Sequence, residues 1–226
     1  MKCLNLHPWD ISYDKAINIQ QSLSSQITLE PLNSPVELVA GADVSYSKGS
    51  NTFYSGVVIL RLSDMSIIEE ATAEGNVDFP YIPGLLSFRE SPVLIKAFEK
   101  IKITPDAVIF DGQGIAHPRS LGIASHLGLI LDIPSIGCAK NILVGEYNNL
   151  GDEFGEYSLM MYKNKAVGAA VRTKKKVSPV FVSPGHKIDI ESSINTILRV
   201  CRGYRLPEPT RQAHILVNKS RVSLGG

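Results

Sequence analysis

The chain has 226 residues, of which 44% are hydrophobic and 20% charged. A chain of this size can bury roughly 70% of its unfolded surface around one core, and the composition excludes a disordered chain, a collagen-like repeat and a cysteine-stapled miniprotein. The formal net charge of +1 announces neither a nucleic acid nor a membrane.

The distribution of charge is more informative. Residues 1–75 carry 4 basic and 9 acidic side chains, residues 76–150 carry 6 and 7, and residues 151–226 carry 13 and 6, for nets of −5, −1 and +7. The last third is therefore a candidate basic face, although charges balanced elsewhere in the fold would explain it equally well. Cys3, Cys138 and Cys201 form no CxxC pair, which excludes a zinc ribbon and suits a reducing compartment. No signal-like apolar segment follows Lys2, and no apolar run approaches the ~20 residues of a membrane helix, so a soluble cytoplasmic protein is expected.

Ala16, Ile19, Leu23 and Ile27 recur at helical spacing and predict an amphipathic helix over 11–27. Residues 36–47, 53–62 and 66–75 read as strands joined by short polar turns. Such turns force an antiparallel meander, because a parallel crossover needs a dozen or more residues. A stiff PYIPG loop follows at 80–84, then a helix from about Ser87 with Pro92 in its first turn. DAVIFDG at 106–112 and PSIGCAK at 134–140 are short apolar strands around a helix predicted over 117–131, a repeat that indicates parallel strands. Residues 156–172 suggest a hairpin turning at Lys163, Asn164 and Lys165. A strand over 179–185, a helix capped by Asp189 or Ile190, and a last helix over 210–221 complete the chain. The expected fold class is α/β, with a mixed central sheet flanked by helices in a single domain over 1–226.

Two carboxylates stand out. Asp43 lies in a predicted strand among apolar neighbours, where an unpaired charge is costly. Asp111 ends an apolar strand, where open α/β sheets place ligands. Each alone fits a turn carboxylate held by backbone N–H groups. On adjacent strands, joined by Glu90 near a helix start, they would make an oxygen-rich site for Mg²⁺ or Mn²⁺ rather than zinc. His117 and His126 form no metal motif, and His214 is the likelier participant, with simple packing as its alternative. Tyr81, fixed between two prolines, could stack on or wedge between bases, or pack its loop onto the domain. Gly112 and Gly114 permit close approach of a ligand to backbone. The lysines at 174–176 read as a solvated turn or a phosphate contact.

These residues sit in blocks that closely resemble the endonuclease V family, deoxyinosine-directed repair nucleases. The blocks are GADVSY at 41–46, PYIPGLLSFRE at 80–90, DGQGIAHPRSLGIASHLG at 111–128, IPSIGCAK at 133–140 and PTRQAHILVN at 209–218. The resemblance implies a ribonuclease H-like fold, with three antiparallel strands followed by parallel ones. It implies an acidic metal site of Asp43, Glu90 and Asp111 holding Mg²⁺, with Mn²⁺ accepted, and places His214 and Lys140 beside the reacting phosphate. It makes Tyr81 a strand-separating wedge, and puts Leu86, Gly112, Gly114, Ile115, Ala116 and His117 around the lesion-base pocket. The implied reaction is hydrolysis of the second phosphodiester bond 3′ to deoxyinosine, leaving a 3′-hydroxyl and a 5′-phosphate. The expected partner is single- or double-stranded DNA with deaminated bases, and the expected state a monomer. Inosine-containing RNA is an alternative substrate. A non-catalytic DNA-binding module and a small-molecule α/β enzyme are the alternatives from other classes.

Overall fold

Short connections decide the first half of the sheet. Strands β1 (Leu38–Tyr46), β2 (Thr52–Arg61) and β3 (Ile67–Asn76) form the antiparallel meander in a computed structural model that describes residues 1–47 and 49–224. Parallel pairing then begins at β1: β4 (Ala107–Phe110) adds beside it and β5 (Ser135–Ala139) beside β4. Strands β6 (Tyr157–Tyr162), β7 (Lys165–Val171) and β8 (Val180–His186) complete an eight-stranded sheet of order β3-β2-β1-β4-β5-β8-β7-β6.

The parallel section is thus confined to β1, β4 and β5. Strand β8 runs antiparallel to β5, and β7 antiparallel to β8, because the eight residues between β7 and β8 are too few for a crossover. At the β6–β7 turn, Lys163 and Asn164 both have left-handed backbone, with φ of 49° and 62°. That is the geometry of a two-residue type I′ hairpin.

Helices cover both faces. α2 (Leu86–Phe98) and α3 (Ile123–Leu131) bury Leu94, Phe98, Leu127 and Ile130 against Ala40, Ala42, Val57 and Phe110 of the sheet. α1 (Tyr13–Ser24) lies over this layer through Ala16 against Phe88 and Leu23 against Leu121. On the other face, α4 (Ile190–Arg199) packs Ile194 and Ile197 on Val39, Ile109 and Ile136, while α5 (Glu208–Leu224) sets Ala213 on Val58 and Leu60. The alternation along β1 and β2 separates these sets, as the two-residue period of a strand requires.

The start of α3 and the place of Pro92 in α2 differ from expectation. α3 begins at Ile123 rather than 117, because residues 114–122 fold back on themselves with Gly122 N donating to Gly114 O at 3.0 Å. Pro92 lies well inside α2 rather than in its first turn. Asp189 caps α4 as expected, its Oδ1 accepting from Ser192 N at 2.7 Å. Among the described residues all three cysteines are unpaired, and no helix is long and apolar enough to cross a membrane.

Candidate active site

The parallel pairing of β1 and β4 aligns Ala42 with Phe110, so the next residues along each strand, Asp43 and Asp111, emerge side by side. Glu90 comes to them from α2. The three acids line one small cavity of about 10 Å³ together with Leu94, Phe110 and Ile123, roughly the room that one water-sized guest needs.

Their electrostatics show how poorly three carboxylates tolerate each other here. Burial, then the charges of Asp43 and Asp111, push the Glu90 carboxyl up to about 8. Burial and Asp111 also raise Asp43, against the lowering effect of the His214 hydrogen bond and the Val44 N–H. His214, from α5, donates from Nδ1 to Asp43 Oδ2 at 2.7 Å, and its Nε2 accepts from Asn218 Nδ2 at 3.1 Å. Lys140, the first residue after β5, pairs with Asp111 Oδ2. Burial disfavours the Lys140 ammonium, but the hydrogen bond and charge of Asp111 outweigh it and raise the amine. Arg205 Nη2 donates to Lys140 O at 2.8 Å and fixes the backbone of this lysine.

Among the described residues, no three His, Cys, Asp or Glu side chains are already drawn together at metal-ligand spacing, since Asp111 faces Lys140 and Asp43 faces His214. The donor chemistry nonetheless fits a hard divalent cation: three carboxylates border an ion-sized space, and their mutual repulsion is what a cation would neutralise.

Beside the acids opens a cavity of about 370 Å³. Asp111 lines both, so the two spaces share a wall. Tyr81, Leu86, Gly112 and His117 line the larger cavity. Gly114, Ile115 and Ala116 do not: they are buried beneath it, with Gly114 N donating to Ser183 Oγ and Ile115 N to Pro184 O. Gln20, Ser87, Gln113, Asn141, Ile142 and Leu143 line it without having been singled out by sequence. Gln113 Nε2 donates to Asn141 O, whereas its Oε1 is buried without a partner. Its place directly after Asp111 and Gly112 was the available signal. For Gln20, some sixty residues upstream of its partner Gly84, sequence carried none.

The Tyr81 loop is anchored through one carbonyl. Gly84 O accepts from Gln20 Nε2, His117 Nε2 and Arg119 Nη2, at 2.9–3.0 Å. Burial, and then the Arg119 charge, lower His117 to about 4 against the opposing effect of that bond, so the ring is neutral. Gly84 has φ of +79°, a left-handed conformation that a side chain would strain. Held this way, the loop presents Tyr81 at 64% exposure, which removes the alternative of a packing tyrosine. The lysine run at 174–176 forms an edge turn, with Lys175 paired to Glu153 at 2.7 Å.

A model of the Endonuclease V family matches residues 21–215. The chain belongs to the endonuclease V family. It is 49% identical over 215 residues to an endonuclease V of Dehalococcoides mccartyi, covering 95% of this chain and 96% of that relative. The crystal structure of endonuclease V from Streptomyces avermitilis superimposes with a TM-score of 0.91 at 35% identity, covering 96% of each chain. An endonuclease V of Ciona intestinalis, crystallised with a 24mer DNA containing an inosine followed by a ribo-adenosine, gives 0.82 at 26% identity over 93% of this chain and 98% of that one. The meander followed by β4 and β5 is the ribonuclease H-like arrangement expected from the resemblance to this family.

Proposed function

We propose that the whole chain is one catalytic domain that hydrolyses the second phosphodiester bond 3′ to deoxyinosine in DNA, leaving a 3′-hydroxyl and a 5′-phosphate. The observation that carries this reading is the shared wall at Asp111: a three-carboxylate cavity adjoins a base-sized pocket capped by an exposed, rigid tyrosine. The inosine-containing DNA bound by the Ciona relative supports the substrate.

Asp43, Asp111 and Glu90 are the residues that would hold Mg²⁺, or Mn²⁺ through the same oxygens. Such an ion supplies water activation and charge neutralisation at phosphorus. His214 is oriented by Asp43 through Nδ1 and takes a water proton at Nε2 once Asn218 yields that nitrogen. Lys140 sets its ammonium against the phosphate charge. In the pocket, Gln113 Oε1 would accept from the protonated N1 of hypoxanthine, a donor that adenine lacks, after a side-chain turn that brings this buried oxygen to the cavity. Tyr81 fills the gap left by the extruded base, a step that costs least at a mismatch or in a single strand.

The test is a Mg²⁺-dependent cleavage assay on labelled inosine-containing DNA, mapped to the nucleotide, beside matched RNA and undamaged DNA. Asp43→Ala and Asp111→Ala abolish cleavage while retaining the circular dichroism of the parent. Tyr81→Ala slows duplex cleavage more than single-strand cleavage. Full activity in both aspartate variants would overturn the site, and equal losses on the two substrates would overturn the wedge.

A further inference from the structure

The base pocket continues into a second groove. Ile142 and Leu143 line both the pocket and a groove of about 490 Å³ that ends at Tyr162, Lys163 and Asn164 on the β6–β7 turn. Asp111 joins the acids to the pocket in the same way. Acids, pocket and groove therefore follow in that order, each sharing wall residues with the next.

This order has a polarity if the cut lies 3′ of the lesion, the reading on which the inference rests. A strand with its lesion base in the pocket and its 3′ side at the acids leaves the pocket toward Ile142 and Leu143 with its 5′ side. We propose that the groove is a subsite for the single-stranded 5′ flank of the substrate, whose phosphates meet Lys163 and Lys165.

The chemistry of the groove suits that occupant. Leu143, Val144 and Met161 give an apolar surface for sugars and base faces. Lys163 lines the groove from a short turn of fixed geometry, and Lys165 is exposed beside it at the start of β7; the Lys163 ammonium rests 5.1 Å from the centroid of the Tyr162 ring, which holds it at the rim. Glu146 is the one carboxylate lining the groove, and its backbone is tied to Met161 by bonds in both directions at 2.8 and 3.0 Å. Lys163 at the rim and Lys165 beside it set two positive ammonium groups near the one lining carboxylate, the sign a phosphate backbone requires.

The experiment crosses a charge reversal with a truncation. Single-stranded oligonucleotides carry one inosine, a constant 3′ flank, and a 5′ flank of either about eight nucleotides or none. Binding is measured by fluorescence anisotropy in chelator, and cleavage under single turnover with Mg²⁺. The unaltered protein binds the 5′-extended oligonucleotide several-fold more tightly than the truncated one. The double variant Lys163→Glu, Lys165→Glu loses that gain, while the two proteins bind and cut the truncated oligonucleotide equally. The salt slope for the extended oligonucleotide falls by about 1.4, because each single-strand phosphate contact contributes about 0.7. Affinity independent of the 5′ flank, or equal loss on both oligonucleotides, would overturn the subsite, as would coupling to the 3′ flank instead. If the unaltered protein cuts no inosine substrate, the reading of the function fails. If it cuts but shows no coupling, only the subsite fails.

Discussion

At the scale of single residues, the site is defined by charges that oppose folding. Glu90, Asp43 and Asp111 border one cavity, and the proximity of the other two helps keep the Glu90 proton in place up to about pH 8. A carboxyl whose folded value is raised gives its stabilisation fully at acid pH, below 4.5, and loses it as pH rises through about 8. Glu90→Gln removes the charge but keeps the shape. In chelator above about pH 8 this variant is expected to be more stable than the parent by about 0.5–2 kcal/mol and to have lost cleavage. A chemical denaturation curve unchanged from the parent would mean that the three acids do not repel each other. Lys140 and His214 belong to the same balance, since each holds one carboxylate of the set.

At the scale of elements, what matters is how closely α5 lies on β1. Gly41 and Asp43 are two residues apart and share a side of the strand. A Cβ at Gly41 would collide with the backbone of Pro209 and Thr210, which lead into His214 along α5. The missing side chain therefore sets the distance across which His214 reaches Asp43. Gly41→Ala is expected to cost about 1–3 kcal/mol, as overpacking does, and to reduce cleavage through displacement of His214, with binding of single-stranded inosine DNA retained. Unchanged stability and rate would show that α5 moves freely relative to the sheet. The Tyr81 loop follows the same logic, since α1 contributes Gln20 to the carbonyl that anchors it.

At the scale of the whole molecule, half-buried His7 and buried His126 tie the amino-terminal arm to the core. Pro8 O accepts from His7 Nδ1 at 2.8 Å, which leaves His7 Nε2 to accept from His126 Nε2 at 2.7 Å. His126 Nδ1 then accepts from the Ser87 hydroxyl at 3.1 Å. Complete burial, and then His7, lower His126 from 6.5 to about 3. A histidine with a depressed value stabilises fully above 6.5, and that contribution is lost as pH falls toward about 3. Each such group contributes a slope of up to about 1.4 kcal/mol per pH unit. Glu90 contributes with the opposite sign in this range, so the measurement belongs in the Glu90→Gln background. There, stability is expected to fall between about pH 6.5 and about pH 5, and His126→Asn is expected to flatten that fall. Equal slopes in the two proteins would remove His126 from the account.

The basic character of the last third is also resolved at this scale. Arg172 bonds to Gly151 O and Val177 O, Arg205 to Ser178 O and Pro179 O, and Arg211 to Glu208. Arg172 and Arg205 therefore hold loops in place and Arg211 pairs within α5, while most other basic side chains of this third, Lys163 and Lys165 among them, stay exposed.

The sequence by itself determined most of the elements and the meander, and singled out Asp43 and Asp111 as candidates. Strand periodicity, turn length and the cost of an unpaired carboxylate are local properties, and Asp43 and Asp111 each carry their signal in their own neighbours. Only the tertiary structure decided which residues meet across long separations: Gln20 with Gly84, His7 with His126, Arg205 with Lys140, and Ile142 with both pocket and groove. It also placed Gly114, Ile115 and Ala116 beneath the pocket that Gln113 lines. The physical reason is that burial and hydrogen-bond partnership are properties of packed surfaces. A side chain acquires them from whichever elements the sheet order brings against it, and that order is not written in its own stretch of chain.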